Sequence, residues 1–289
     1  MREKLRHYFS VYGYKLRLEV RHELEDISWT FCWLLMIPLS YCAGFYVLWV
    51  ILEQGGGLNG WGSGEAAFLF GLSMFSHGLQ DLFFIRTRSV DELIRFGEFD
   101  RMLLMPLGIF GQFCMIGLNV CGLYDLVPAV IIFAWGCGQV DFVWSMGNIL
   151  GVLLVIAGGT MISLAFYTVT GCLAFWFPKS SSLEDLNLRL IEKVTAYPLT
   201  IYPQALQAVF SFLVPLGFIS FYPACGFLGM DSGIGRLLPQ GPVGSVMRDF
   251  PLPAETPLMS LAVGAVCLFI ARAVFLFTLK KRYDGSGSV

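Results

Sequence analysis

Long apolar stretches alternate along the chain with short segments that hold most of its charge. A hydrocarbon core about 30 Å thick is crossed by about 20 residues of helix. Windows of that size fall at about 28–53, 64–86, 106–134, 144–177, 197–222 and 257–279. The pattern therefore predicts an all-α integral membrane protein with six transmembrane helices, a segment of 1–27 before them and a tail of 280–289 after them.

The polar segments carry an orientation. Arg2, Lys4, Arg6, Lys15, Arg17 and Arg21 precede the first window. Arg86, Arg88, Arg95 and Arg101 follow the second, Lys179, Arg189 and Lys193 the fourth, and Lys280, Lys281 and Arg282 the sixth. The other side holds only Arg236 and Arg248, with Arg272 inside the sixth window. Excess lysine and arginine mark the cytoplasmic side. Both termini are thus expected in the cytoplasm, and an even number of spans agrees by placing them on one side.

The segments between spans have patterns of their own. In 1–27, Leu5, Tyr8, Tyr12 and Leu16 share a face that the basic residues largely avoid, as in a helix lying at the membrane interface. Residues 88–107 predict a short helix capped by Ser89, with Asp91 and Glu92 in its first turn, a stop at Gly97, and Pro106 opening the third span. Residues 181–193 predict a second short cytoplasmic helix. Ser181 and Glu184 have capping-box spacing, and Leu183, Leu186 and Leu190 form its apolar stripe. The proline-rich segment 223–256 excludes one continuous helix; its pieces 225–228 and 234–238 predict short helices in or dipping into the outer leaflet.

Composition narrows the function. The chain is 56% hydrophobic and 14% charged, with mean hydropathy +0.68, whereas soluble domains are about 25% charged. No basic tract interleaved with aromatics suggests nucleic-acid binding. The eight cysteines include no CxxC pair and read as small apolar packing residues. No GxxxxGK[ST] phosphate loop, HExxH or GxSxG motif occurs, so no catalytic centre and no bound cofactor or metal are expected. Ionisable groups within the membrane are costly and thereby functional candidates. His77 and Asp81, four apart on one face of the second span, and Arg272 are the possible intramembrane polar sites. Asp125 and Asp141 are expected toward the outer side. An ion-coupled carrier, or a scaffold that recruits a cytoplasmic partner, stays open on these residues alone.

Arg95, Gly97, Glu98, Asp100, Arg101, the leucines after them and Pro106 form a recognisable run. Collinear with it are Phe175, Trp176 and Phe177; Tyr197, Pro198, Tyr202 and Pro203; Pro215, Tyr222 and Pro223; and Arg282 with Tyr283. In this set the chain resembles the permeases of ABC-2 type transporters, with Met105 in a position where many relatives place arginine and Asp81 as a further departure. The resemblance implies a six-helix transmembrane subunit in the bacterial cytoplasmic (inner) membrane. It implies pairing with a second permease, as a homodimer or heterodimer, and with ABC ATPase subunits that bind ATP and Mg. Coupling helices would seat on those ATPases through Asp91, Glu92, Arg95, Gly97, Glu98, Asp100 and Arg101, and through Glu184, Asp185 and Arg189. The cargo implied is an antibiotic, toxin, peptide or lipid, exported from the cytoplasm or inner leaflet.

Overall fold

The computed structural model describes residues 13–14, 17–18, 21, 25, 27–57, 60–105, 108–115, 119–120, 122–177, 181–233 and 252–282. The interfacial helix expected over 1–27 lies mostly outside these residues, as do the piece 234–238 and the tail from Tyr283. The helices in chain order are α1 (Ile27–Gly55), α2 (Ser63–Phe84), α3 (Val90–Arg95), α4 (Glu98–Leu103), α5 (Ile109–Met115), α6 (Gly122–Gln139), α7 (Met146–Gly171), α8 (Ser181–Ala196), α9 (Gln204–Ala208), α10 (Phe221–Leu228) and α11 (Leu252–Arg282). Among the described residues, five helices are long and apolar enough to cross a membrane: α1, α2, α6, α7 and α11.

The second span is the core. Ala66, Ala67, Phe68, Leu69 and Leu72 of α2 are wholly buried. Helix α6 packs antiparallel to it, with Gly122 beside Leu82 at one end and Gly64 beside Gln139 at the other. Helices α7 and α11 pair at Gly158 and Gly264, where a Cβ on Gly158 would lie 2.6 Å from the Ser260 carbonyl. Apolar association gains little in lipid, so close backbone approach through small residues holds such pairs. Helix α1 is peripheral: only Leu48 and Leu52 of its described side chains are buried, while Phe31, Leu35, Leu39 and Val47 are exposed. One end of the bundle carries Arg86, Arg88, Arg95, Arg101, Arg189, Lys280 and Lys281, and is called the basic end below.

Two of the expected spans are built differently. The apolar run of 106–139 is longer than one crossing needs, and the structure divides it. Helix α5 stays at the basic end, where Phe113 stacks on Phe275 of α11 (centroids 4.6 Å apart) and Gln112 Nε2 donates to the Met102 carbonyl at 3.1 Å. The crossing is α6, which begins only at Gly122, after Asn119 N donates to the Leu82 carbonyl at 3.0 Å. This shift corrects the placement of Asp125: it lies at the basic end of α6, not toward the opposite end.

The window 197–222 holds no continuous helix. Helix α8, expected to end near 193 as a cytoplasmic piece, runs to Ala196 and enters the bundle. Glu184 is level with Ser89, and Thr195 with Ser73, halfway along α2. Leu186 of the expected apolar stripe is exposed; Ile191, Val194 and Thr195 are buried instead. The chain then leaves sideways through a 3-10 turn at Leu199–Ile201, α9, a π-helical turn at Val209–Leu213 and a second 3-10 turn at Leu216–Phe218. It returns to the same depth, where Ser220 Oγ donates to the Thr195 carbonyl at 2.6 Å. Pro198, Pro203 and Pro215 lack the N–H that a continuous helix requires. Helix α10 completes the crossing toward the end opposite the basic one, with Phe227 against Phe68 and Phe142. The piece 225–228 is helical, and Cys225 is buried inside the bundle.

Candidate functional site

A cavity of about 650 Å³ opens between α1, α2, α6 and α8. Its polar wall begins with His77 and Asp81, one turn apart on α2. Arg88, two turns beyond Asp81, folds back so that Nη1 donates to Asp81 Oδ2 at 3.1 Å and Nη2 to the other carboxylate oxygen. Nη2 is also 3.5 Å from His77 Nε2. The guanidinium lies over the Tyr167 ring of α7, 4.7 Å from its centroid. Its planar fork of donors matches a carboxylate and a ring face together. The Arg88 side chain is 7% exposed and that of Asp81 12%.

The other partners come from elements far away in sequence. Glu192, in the last turns of α8, places Oε1 3.5 Å from His77 Nε2 and accepts a hydrogen bond from Tyr41 of α1 at 3.3 Å. Asp125 of α6 is 7% exposed. Its carboxylate lies within 4.8 Å of the ligating atoms of His77 and Asp81. Among the described residues it has neither a hydrogen bond nor an ion pair. Helix α2 is about 33 Å long at 1.5 Å per residue, and the cluster sits one to two turns to the basic side of its midpoint. The Ser73–Thr195 hydroxyl pair, 2.6 Å apart, marks that midpoint.

The sequence singled out His77 and Asp81, and the structure brings them together. Arg272 is exposed on α11, outside the cluster. Sequence reasoning missed four members. Arg88 reads in the sequence as a loop charge, although its spacing of seven from Asp81 puts both on one helical face. Asp125 followed the misplaced third span. Glu192 and Tyr41 carried no local signal.

The second group of expected residues forms a compact unit at the basic end. Gly97 joins α3 to α4 with φ 67°, the left-handed conformation that glycine adopts at no steric cost. Phe99 is fully buried against Phe113, Phe175 and Phe275, which fixes α4 to α5, to the end of α7 and to α11. Asp91 is buried and pairs with Arg95 at 3.4 Å, and Arg86 approaches Glu92 at 3.9 Å. Ser89 does not cap its own helix; its hydroxyl donates to Glu184 Oε1 at 2.6 Å, while the Ser181 side chain of the expected capping box lies outside the described residues. Burial raises the Glu184 carboxyl above its ordinary range, and the Ser89 hydrogen bond opposes that rise. Arg95 and Arg101 are exposed, with Glu98 and Asp100 partly so; Asp185 and Arg189 are exposed on α8. Among these charges stand the exposed apolar side chains Phe96, Leu103, Leu104 and Met105.

A sequence profile described as ABC-2 family transporter protein matches residues 39–287. No curated protein and no solved structure matches the chain. The matched region runs from within α1 past the end of α11 and takes in the cavity, its charged cluster and the α3–α4 unit. By that match over most of its length, the chain belongs to the ABC-2 family of transporter proteins, the transmembrane subunits of ABC transporters.

Proposed function

We propose that this chain is the permease subunit of an ATP-binding cassette exporter, with hydrolysis of ATP, held with Mg, on partner subunits. The α3–α4 unit seats on the partner ATPase, and the cavity between α1, α2, α6 and α8 receives an amphipathic or lipophilic cargo from the cytoplasm or inner leaflet. The basic end faces the cytoplasm of a bacterial inner membrane. A second permease, either another copy or a different chain, covers part of the apolar surface that lipid does not.

The observation that carries this reading is the path of α8. At one end Glu184 holds Ser89 of the α3–α4 unit; at the other Glu192 and Thr195 touch His77 and Ser73 on the cavity side. A displacement of the unit therefore pulls directly on the cavity wall. Exposed Phe96, Leu103 and Leu104, rimmed by Glu98 and Arg101, have the apolar centre and charged border of a docking surface.

Pull-down of the chain from native membrane is expected to recover an ATPase with the phosphate-binding loop absent here. Glu98→Lys with Asp100→Lys should leave membrane insertion intact and abolish cargo-stimulated ATP hydrolysis. Recovery of no ATPase, or unchanged stimulation in the double variant, refutes the proposal. The density of the His77–Asp81–Asp125–Glu192 cluster, beside an interrupted crossing, favours one other reading, an ion-coupled carrier. That carrier would transport in ATP-depleted vesicles down an ion gradient, and the exporter would not.

A further inference from the structure

Resting on the permease reading, we infer that the cavity selects a cationic amphiphile, whose positive head is held by Asp125. The acids of the cluster are not equivalent. Asp81 is matched by the Arg88 guanidinium. Glu192 is shared between His77 and the Tyr41 hydroxyl. Asp125 is more than nine-tenths buried, lines the cavity, and has no hydrogen bond or ion pair among the described residues. Lys193, the other cation on the wall, is exposed and forms no ion pair with it. A buried carboxyl with no direct partner is costly to ionise, and a cation beside it relieves that cost.

A metal ion does not suit the place. His77, Asp81 and Asp125 have the spacing of a metal triad. Arg88, however, already stands against Asp81 and His77, and its fixed positive charge repels a second small, dense one. A diffuse organic cation meets less opposition and finds better company. Trp33, Tyr41, Phe70 and Tyr197 line the same space and offer ring faces that attract such cations. The volume lies in the range of sites that enclose a small organic molecule.

The test uses two ions of the same shape and opposite charge, tetraphenylphosphonium and tetraphenylborate. Binding is measured by equilibrium dialysis against the purified chain in lipid nanodiscs, with empty nanodiscs subtracted and no ATP present. The phosphonium should bind saturably and at least tenfold more tightly than the borate. Asp125→Asn should weaken the phosphonium at least tenfold, while Asp125→Glu, which keeps the charge, stays within about threefold of the parent. Equal affinity for the two ions overturns the inference, and so does an unchanged Asp125→Asn or equal loss in both variants. If Asp125→Asn fails to elute as a single folded species, the comparison of the two ions on the parent chain still decides. Because the assay needs no ATPase, it fails or succeeds separately from the partner pull-down that tests the permease reading.

Discussion

Replacing Arg88 by methionine removes the counter-ion of a buried carboxylate while keeping most of the side chain's bulk. Arg88 and Asp81 have side chains 7% and 12% exposed, joined by two hydrogen bonds, with the guanidinium lying on Tyr167. Breaking a buried pair by removing one partner costs about 3–5 kcal/mol, because the other charge stays behind unpaired. At about 2–4 °C per kcal/mol for a chain of this size, Arg88→Met should lower the apparent melting temperature in detergent by roughly 6–20 °C. Adding Asp81→Asn removes the stranded charge. The double variant should recover most of the loss, down to a residue of about 1 kcal/mol from the missing ring contact. Arg86→Ala is the control, since Arg86 and Glu92 are nearly half exposed and 3.9 Å apart; such a pair contributes about 0–1 kcal/mol. The assay is thermal unfolding followed by size-exclusion monodispersity. If Arg88→Met melts within about 2 °C of the parent, or if the double variant is no better than the single, the buried-pair argument is refuted.

Three further outcomes follow from close contacts elsewhere. Gly122→Ala places a Cβ 2.7 Å from Leu82 Cα and should cost about 1–3 kcal/mol by forcing α6 from α2; Gly138→Ala, with open space around it, should not destabilise in the same melt. Phe99→Ala empties the aromatic socket between α4, α5 and α11 and should cost about 3–5 kcal/mol, seen as new proteolytic cleavage between α3 and α5 before the bundle melts. Ser89→Ala removes the link to Glu184 at a cost of about 1 kcal/mol, and cargo stimulation of ATP hydrolysis by the assembled transporter should fall more than its basal rate.

The sequence was most informative where one physical demand acts alone. Helices α1, α2, α7 and α11 are long apolar runs ended by charge or glycine, and length with hydropathy finds them whether lipid or protein covers them. It was misleading where two demands compete. From 106 onward hydropathy continues without a break, because α5 is apolar for a different reason: Phe113 fills a protein socket with Phe99 and Phe275 rather than facing lipid. Hydropathy does not distinguish those environments, and the third span slid toward the N-terminus, taking Asp125 with it. From 181 onward the error reverses. Helix α8 is too polar to read as part of a crossing, yet its last turns bring Glu192 and Lys193 to the cavity wall. Ser89 fits a local capping rule, yet its hydroxyl bonds Glu184 across 95 positions instead; no local pattern reports such a partner.

The interrupted fifth crossing and the charged cluster have one explanation. A continuous apolar helix over 197–222 would set lipid-like side chains at the depth of His77. Running α8 into the bundle sets Glu192 there instead, and the basic half of the crossing becomes polar because it faces the cavity. The interruption leaves backbone groups without helical partners, which a membrane interior tolerates only where protein groups replace them. They are replaced here: Ser220 donates to the Thr195 carbonyl at 2.6 Å, and Ser260 of α11 to the Phe218 carbonyl at 2.7 Å. Those two serines fasten the half-helices to each other and to α11, while Glu184 and Glu192 fasten α8 to the α3–α4 unit and to α2. The half-crossing is thus tied at three depths by hydrogen bonds, beside the apolar packing of Ile191, Val194, Leu216 and Ile219 in the core. Each such bond contributes only about 1 kcal/mol net, whereas α7 and α11 are held by close backbone contact at Gly158.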